Sequence, residues 1–176
     1  ENESVAVLAA NNLGAWQVAG RDEIAAFKEG SHSAAVRQAL AVALGMASKR
    51  NLKPLSELST NGDLETRYAA VAGLAYADLE RSVEVAAQLL TEDPRDFDPV
   101  PLVQTLLKQR RGGRLLTEAL RGVELHGKVM ASVSKFHRDT GLLPDVLAEK
   151  FQASTARSSL SASLLAEDIE ALTADA

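Results

Sequence analysis

Two histidines, His126 and His137, are the residues whose type and spacing first suggest chemistry. Imidazole acts as a general acid or base near neutral pH and is a common metal ligand. Eleven residues make about three helical turns, so both side chains share one helix face, but the axial rise of about 16 Å excludes a shared metal ion. No further ligand stands three or four residues after either histidine, and we therefore expect structural roles for both. A ligand-binding or enzymatic pocket near His126 and His137 is the alternative.

The segment Asp93–Asp98 holds the densest group of carboxylates, which are the ligands that hard cations prefer. Pro94 and Arg95 interrupt the pattern, and the sequence has neither the turn glycine nor the distal glutamate of a calcium loop there. We therefore expect a solvated loop and a helix N-cap here, rather than a cation site. A pocket at the Asp93–Asp98 loop is the second form of the alternative, a helical ligand-binding or enzymatic domain.

One run of cations has the charge to bind an anion or an acidic partner, and it consists of Lys108, Arg110, Arg111 and Arg114. Three of these cations come before Gly112-Gly113, and Arg114 follows it. We predict that the two glycines end a helix and that the cations lie at the negative end of its dipole. The chain has a formal charge of −5 and a single tryptophan, unlike the basic, aromatic-rich surfaces of nucleic-acid-binding proteins. We expect no nucleic-acid partner and keep the four cations as candidate contacts for a protein partner or an anion.

Several classes of chemistry are excluded by what the sequence lacks. It has no cysteine, which removes disulfides, thiolate ligands and covalent haem attachment. Phosphate-binding glycine loops and the G-x-S-x-G nucleophile turn are also missing. The longest apolar run, Ala39–Ala47, is less than half of the roughly 20 residues that a membrane helix needs. We predict no catalytic residue, no cofactor, no metal and no membrane insertion for this chain.

The elements that must position these residues are helices. Hydrophobic residues make up 46% of the 176-residue chain, which is enough for one domain or for a string of small repeats. They recur at spacings of three and four residues without an alternating run of strand length, and this pattern predicts an all-α protein. The apolar stripes that define the helices cover 36–47, 52–58, 64–79, 86–90, 102–107, 115–120, 129–136 and 146–151.

The spacing between comparable helices predicts a repeat. They begin near residues 33, 63, 98 and 126, and intervals of this size are typical of units made from two antiparallel helices. A short pair cannot bury its apolar face alone, so we predict an α-solenoid of about four stacked antiparallel helix pairs, HEAT- or armadillo-like in type. At an offset of 30, the residues that align are Arg37 with Arg67, Ala39 with Ala69, Ala41 with Val71, and Leu44 with Leu74.

Composition divides the chain into four predicted parts. Residues 1–30 form an atypical N-terminal helical cap, because the segment Asn11–Gly14 interrupts the first helix. Residues 31–152 hold the helix pairs, and 153–162 are a linker rich in serine and alanine. Residues 163–176 form an acidic C-terminal helix, and its apolar residues dock weakly on the preceding pair.

The stretch from Asp98 to Gly113, continued by the leucines and alanine of 115–120, carries a D-x-x-P-L helix that ends in a basic residue and Gly-Gly. It resembles the HEAT-like segment of large secreted planctomycete proteins, which combine a membrane-bound-dehydrogenase-like propeller, helical repeats and a C-terminal c-type cytochrome domain. In that family an alanine-rich helix follows, and an acidic helix precedes the haem domain. The first part of the pattern is matched by Asp98, Pro101, Leu102, Gly112 and Gly113. The second part is matched by Glu167, Asp168, Ile169, Glu170 and Leu172.

This resemblance covers about residues 34–176 and includes neither haem cysteines nor propeller residues. It implies a fragment of a larger multidomain protein, a spacer before a c-type cytochrome domain, with a periplasmic or secreted location and a possible dehydrogenase as the parent. From the residues we expect a non-catalytic scaffold or protein-interaction module. We expect its partner to be a flanking domain or another chain. The contact surface would be the face that carries residues such as Glu80, Arg81, Arg95 and Arg111.

Overall fold

The computed structural model describes residues 3–19, 33–95 and 97–151, and all regular secondary structure in these ranges is helical. The all-α prediction is confirmed, as are helix starts near residues 33, 63, 98 and 126. A 3₁₀ turn over Lys49–Asn51 and a helical segment over 145–151 complete the described elements. The α-helices are α1 (Glu3–Ala15), α2 (Ala34–Ala47), α3 (Leu52–Asn61), α4 (Leu64–Ala77), α5 (Leu79–Leu89), α6 (Val100–Lys108), α7 (Gly112–Ala119) and α8 (Gly127–Thr140).

Side-chain caps fix where two of the longest helices begin. Ser33 Oγ accepts a hydrogen bond from the N–H of Val36 at 3.4 Å, and Asp63 Oδ1 accepts one from the N–H of Thr66 at 2.7 Å. Such a cap is worth about 1 kcal/mol because it satisfies a backbone donor that the helix leaves unpaired. The bounds of α2 and α4 therefore differ by 30 residues at both ends.

A third side-chain cap lies within the stretch 64–79, where the apolar stripe predicted one continuous helix. The carboxylate of Asp78 accepts a hydrogen bond from the N–H of Arg81 at 3.1 Å, so α4 ends at Ala77 and α5 begins at Leu79. The prediction was wrong here because apolar spacing continues across a junction that the cap alone marks.

Helix α4 lies between two hydrophobic clusters and is buried on nearly every side. Tyr68, Val71 and Ala75 belong to one cluster, whereas Ala70 and Leu74 belong to the other. An all-round apolar helix is typical of a central position rather than a surface position. Large side chains of other elements complete the clusters: Leu40, Leu44 and Leu55 in one, and Leu90, Leu106, Leu116, Val133 and Phe151 in the other.

Contacts between helices follow the order of the chain. Helix α2 packs on α1 and on α4, α4 packs on α6, and α6 packs on α8. The shorter helices lie against these: α3 and α5 contact α4, α7 contacts α6, and α5 also contacts α7. Every described helix from α1 to α8 is thus held by helices close to it in sequence.

Glycine and alanine bring α2 and α4 into backbone contact. A Cβ atom on Gly73 would lie 2.3 Å from the carbonyl oxygen of Ala41, and one on Gly45 would lie 2.0 Å from the carbonyl oxygen of Gly73. Both distances are far below a normal contact, so glycine is required at these crossings. The abundant small residues let helix axes approach more closely than larger side chains would allow.

Helix α1 continues through the segment Asn11–Gly14, where we predicted a break. Gly14 is buried because α1 crosses α2 there, and a Cβ atom on it would lie 2.8 Å from Ala43 Cα. The helix ends instead at Ala15, and the turn after it contains Gln17, whose φ of 56° is left-handed and whose N–H bonds to the Gly14 carbonyl at 3.0 Å. Packing against α2 therefore outweighs the low helix propensity of this segment.

Gly112-Gly113 begins a helix and does not stop one. Helix α6 ends at Lys108, and α7 begins at Gly112 after a short turn. A Cβ atom on Gly112 would lie 1.7 Å from the carbonyl oxygen of Leu106, so this glycine is needed for the close return of the chain.

Two predicted segments, the linker 153–162 and the acidic helix 163–176, lie outside the described residues, as does much of the predicted cap 1–30. The division of the chain into four parts remains a prediction. Within 3–19, 33–95 and 97–151, no helix has the length and apolar character needed to cross a membrane.

The crossing of α2 and α4 predicts a sharp difference between two glycine substitutions. Gly73→Ala should destabilise the protein by about 3 kcal/mol, because the new methyl group collides with backbone rather than with a movable side chain. Gly127→Ala is the control, since no atom of the described residues lies within 4 Å of a Cβ atom there, and it should be neutral or stabilising by up to about 1 kcal/mol. Urea unfolding of both variants tests this, and equal stabilities would contradict the proposed close packing.

Candidate functional site

The loop after α5 is tied to α4 by an arginine and a glutamate. Arg67 Nη1 and Nη2 donate to the two carboxylate oxygens of Glu92, each at 2.7 Å. These bonds hold the pKa of Glu92 below its ordinary value and raise that of Arg67. Paired geometry of this kind fixes orientation as well as charge. Glu92 is therefore a structural residue of the loop.

Asp93 accepts hydrogen bonds from two directions. The N–H of Arg95 lies 2.9 Å from its Oδ1, and Lys128 Nζ of α8 lies 3.2 Å from the same oxygen. The backbone bond and then Lys128 lower the pKa of Asp93. Arg95, whose φ is 53°, turns the chain in the left-handed region and offers its carbonyl to Lys128 at 3.5 Å. The loop is thus fastened to the start of α8.

Asp98 caps the next helix, as we predicted. Its Oδ1 accepts a hydrogen bond from the N–H of Val100, the first residue of α6, at 3.0 Å. Asp96 lies outside the described residues. Across the described ranges, no three His, Cys, Asp or Glu side chains come close enough to hold one metal ion.

An open groove of about 370 Å³ lies between this loop and α8. It is lined by Pro94, Arg95, Phe97, Asp98, Lys128, Ala131 and Ser132. This size falls within the range of small-molecule pockets. The structure therefore brings the Asp93–Asp98 loop next to the start of α8, but neither His126 nor His137 is among the residues that line the groove.

Tyr68 of α4 packs against Phe97, which lines the groove. Their ring centroids are 4.7 Å apart with the planes tilted by 44°. The Tyr68 side chain is fully buried, and its hydroxyl has no hydrogen-bond partner among the described residues. Burial first, and then the charge of Glu92, raises the pKa of Tyr68 to about 12. A phenol in this setting stays protonated across the physiological pH range.

The two histidines have different structural surroundings. His126 is the N-cap of α8: its Nδ1 accepts a hydrogen bond from the N–H of Lys128 at 3.3 Å, and its own N–H donates to the Leu90 carbonyl at 3.2 Å. His137 is half-buried near the other end of α8, and its Nδ1 has no hydrogen-bond partner within the described part of the chain. The two histidines therefore lie at opposite ends of α8. Their spacing in the sequence did not indicate that His126 caps this helix.

The four predicted contact cations are all exposed, but they are divided between two helices. Lys108 ends α6, whereas Arg111 and Arg114 lie at the start of α7, with Arg110 in the turn between. The expected C-terminal capping therefore applies to Lys108 and is wrong for Arg111 and Arg114. Their role as contacts for a partner or an anion remains a prediction.

The face on which we expected Glu80, Arg81, Arg95 and Arg111 is not continuous. Arg111 Nη2 lies 3.2 Å from Glu80 Oε1 at the start of α5, and Arg81 pairs with Glu84 within the same helix at 3.2 Å. Arg95 belongs to the loop that follows the other end of α5. The charged residues are thus placed at both ends of that helix.

Arg37 is a residue whose role sequence reasoning did not specify. Its largely buried guanidinium binds Glu65, contacts Asp63 at 3.6 Å and thereby joins α2 to the start of α4. Arg67, its counterpart at an offset of 30, joins α4 to Glu92. The alignment of the two arginines in the sequence was the signal that could have identified them as residues that connect helices.

Comparisons of the chain with protein families, with curated proteins and with solved structures gave no match. The arrangement of residues described above is therefore the basis for a functional proposal.

The pairing of Glu92 predicts a dependence of stability on acid. Because the folded-state pKa of Glu92 is lowered, its contribution is complete above the ordinary value of 4.5 and is lost as the pH falls through the folded value. Glu92→Gln should reduce stability by up to about 1 kcal/mol at pH 7 and flatten the loss of stability as the pH falls below the ordinary value of 4.5. Urea unfolding at several pH values tests this. Glu84→Gln is the control, because Glu84 pairs within one helix, and an equal flattening in that variant would contradict the assignment.

The unpartnered hydroxyl of Tyr68 predicts an alkaline effect. Because the pKa is raised from 10.0 to about 12, the protonated phenol favours folding, and this contribution is complete below pH 10 and lost as the pH rises towards 12. Tyr68→Phe should raise stability by about 1 kcal/mol at pH 8, since it removes a buried polar group. The variant should not lose stability through this group as the pH rises above 10. Unfolding at pH 8 and pH 11 provides the measurement. A destabilised Tyr68→Phe variant at pH 8 would show instead that the hydroxyl has a partner.

Proposed function

We propose that the chain is a non-catalytic helical-repeat scaffold, a HEAT- or armadillo-like α-solenoid that holds protein partners in place. The observation that carries the proposal is the correspondence between α2 and α4. The helices have equal lengths and begin at side-chain caps 30 residues apart. Each also carries an arginine in its first turn, Arg37 or Arg67, that binds a carboxylate further along the chain. A stacked array requires a repeated unit and a repeated contact that connects one unit to the next.

The order of helix contacts also supports an array. In stacked repeats each unit contacts its neighbours and shares one continuous core with them. In agreement with this, α2 packs on α4, α4 packs on α6, and α6 packs on α8. The shorter helices α3, α5 and α7 supply the second member of each proposed pair.

Apolar side chains on the N-terminal helix support a role in protein contact. Val5 and Leu8 of α1 are 60% and 61% exposed, and Trp16 just after α1 is 71% exposed. Val5 and Leu8 are three residues apart and are therefore neighbours on the surface of α1. Exposed apolar neighbours are typical of surfaces that meet another protein. We infer that a flanking domain or another chain is the partner.

The proposal includes the family resemblance. A HEAT-like spacer before a c-type cytochrome domain, in a large periplasmic or secreted protein, would need the D-x-x-P-L helix and Gly-Gly for architecture rather than for catalysis. Asp98 caps α6, and Gly112 returns the chain to within reach of the Leu106 carbonyl. These roles give a physical reason for both ends of the motif.

The intact mass of the gene product from its native source, together with its visible absorbance, tests the spacer role. We expect a chain much larger than 18.7 kDa with the absorbance of covalent haem. A product of about that mass without haem would refute the spacer and leave a free-standing scaffold.

The exposed cations at α6 and α7 give a second test. We expect the triple variant Lys108→Glu, Arg110→Glu and Arg114→Glu to bind a flanking domain of the same gene product about tenfold more weakly, because charge reversal replaces attraction with repulsion. Lys53→Glu, on the exposed surface of α3, should bind as the unmodified chain does. Isothermal titration gives the affinities, and equal binding by all three proteins would contradict this contact.

The groove beside Phe97 favours one alternative, a helical ligand-binding or enzymatic domain. Its size and the unpartnered Tyr68 hydroxyl behind Phe97 are the observations that support it. Elemental analysis of the purified chain tests the metal-dependent form of this alternative. A stoichiometric metal ion would favour the alternative over the scaffold.

A further inference from the structure

Helices α1 and α2 run in the same direction, with residues thirty apart at the same level. At their starts, Ser33 Oγ donates a hydrogen bond to Glu3 Oε1 at 2.7 Å, across a separation of 30 residues. Near their ends, a Cβ atom on Gly14 would lie 3.5 Å from Met46 Sδ. Trp16 follows the end of α1 directly. Trp16 and Met46 therefore lie beside each other at the same end of the two helices.

Helices α2 and α4 share this direction and this register. A Cβ atom on Gly73 would lie 2.3 Å from the carbonyl oxygen of Ala41, and one on Gly45 would lie 2.0 Å from that of Gly73. Gly73 is thus level with the middle of the stretch between Ala41 and Gly45, thirty residues earlier in the sequence. The same offset places Met46 of α2 level with Tyr76 of α4.

Three exposed side chains occupy equivalent positions on these helices. Trp16, Met46 and Tyr76 are 71%, 39% and 37% exposed, and their numbers differ by thirty. They lie at the ends of α1, α2 and α4. Equivalent positions on parallel helices in register face the same side, so the three side chains form one row. We call Trp16, Met46 and Tyr76 the apolar ladder.

The spacing of the apolar ladder limits the shape of a partner. Packed helix axes lie about 8–10 Å apart, so neighbouring ladder residues are separated by about this distance. A polyproline II segment rises about 3.1 Å per residue and returns to the same side after three residues, or about 9 Å. An α-helix returns after seven residues, about 10.5 Å, whereas a β-strand returns after about 6.7 Å. The spacing therefore fits polyproline II or an α-helix, but not a β-strand.

The polar atoms of the apolar ladder favour polyproline II. The indole N–H of Trp16 and the hydroxyl of Tyr76 make no hydrogen bond to a described residue. Carbonyl groups inside an α-helix are already bonded to its own N–H groups, whereas those of polyproline II are unpaired and accept from such donors. Aromatic surfaces with free donors are a general means of recognising proline-rich segments.

The charge beside the apolar ladder adds one requirement. At this end of the helices, residues 48–53 and 78–81 hold four cations and two acids, a net charge of +2. Both acids are engaged, since Asp78 caps α5 and Glu80 pairs with Arg111 at 3.2 Å. Lys49 and Arg50, just after α2, are exposed and form no ion pair with a described residue. An acidic residue among the prolines of a partner complements this charge.

We propose that the apolar ladder binds a proline-rich partner segment in the polyproline II conformation, with an acidic residue of the partner near Lys49 and Arg50. Every third residue of the segment packs on a ladder residue, and carbonyl groups between them accept hydrogen bonds from Trp16 and Tyr76. Such a segment is extended before it binds and loses little conformational entropy. The inference rests on the proposed scaffold role and names one kind of protein that the scaffold holds.

Fluorescence titration tests the proposal, because Trp16 is the single tryptophan of the chain. The probe is a synthetic oligoproline of about 12 residues with two central glutamates, long enough to span the three ladder residues. We expect a saturable blue shift as the indole leaves water. The comparison peptide is an alanine-rich helix with leucine at every seventh position and the same two glutamates.

Three outcomes would overturn the proposal. One is the absence of a shift with the oligoproline at about 1 mM, and another is tighter binding of the helical peptide. The third is a shift that follows the concentration of the protein alone, which would identify a second copy as the occupant. The binding of a flanking domain tests the scaffold separately, so intact domain binding without peptide binding refutes only the apolar ladder.

Substitutions of the other ladder residues provide matched variants. Met46→Ala and Tyr76→Ala should each raise the Kd of the oligoproline about tenfold, since each removes a central contact. Tyr76→Phe keeps the ring and removes only the donor, so it should raise the Kd about threefold. Leu142→Ala is the control, because Leu142 is 63% exposed after α8 and lies outside the apolar ladder. Equal effects in the control and the ladder variants, at unchanged circular dichroism, would refute the contact.

Charge reversal tests the acidic requirement. Lys49→Glu combined with Arg50→Glu should weaken binding of the glutamate-containing oligoproline about tenfold, because repulsion replaces attraction. The same double variant should bind an oligoproline without glutamate as the unmodified chain does. An equal loss for both peptides would show that the two cations do not meet the acidic residue of the partner.

Discussion

Backbone contact between α2 and α4 is the constraint on which the rest of the structure depends. Gly73 approaches the Ala41 carbonyl, and Gly45 approaches Gly73, so the crossing leaves no room for a Cβ atom at either glycine. Helix α4 belongs to both hydrophobic clusters, and its placement against α2 therefore also determines where α5, α6 and the later helices pack. Direct contact of this kind is rigid because no side chain can change rotamer to absorb a displacement.

Charged residues reinforce the same connections. Arg37 joins α2 to α4, Arg67 joins α4 to the loop after α5, and Asp93 joins that loop to α8 through Lys128. Groups that by type alone suggested metal binding or acid–base chemistry are thus engaged in holding successive helices together. Exposed ion pairs contribute modestly to stability one at a time. Here the pairs of Glu92 and Asp93 hold the loop after α5 to α4 and to α8.

The fold class and the places where helices begin could be predicted from the sequence, because apolar spacing and capping residues are local signals. Ser33 and Asp63 act over three residues, and their effect on the backbone is independent of the rest of the chain. The course of α1 through Gly14 and the start of α7 at Gly112 could not be predicted, since both depend on partners distant in space or on a close return of the chain. At the candidate site, Asp98 was predictable as a cap, whereas the unpartnered Tyr68 hydroxyl is a consequence of tertiary burial and has no local signature.

The membership of α4 in both clusters has a consequence for how the protein opens. Loss of either cluster exposes one side of α4, so neither half of the described chain can unfold without weakening the other. Helix α1, by contrast, contributes to one cluster only, through Ala10, so its opening exposes less apolar surface than the opening of α4 does. Amide hydrogens of α4 therefore exchange with solvent mainly through global unfolding, whereas those of α1 exchange through local fraying. The same gradient in stability makes the ends adaptable surfaces around a fixed central helix.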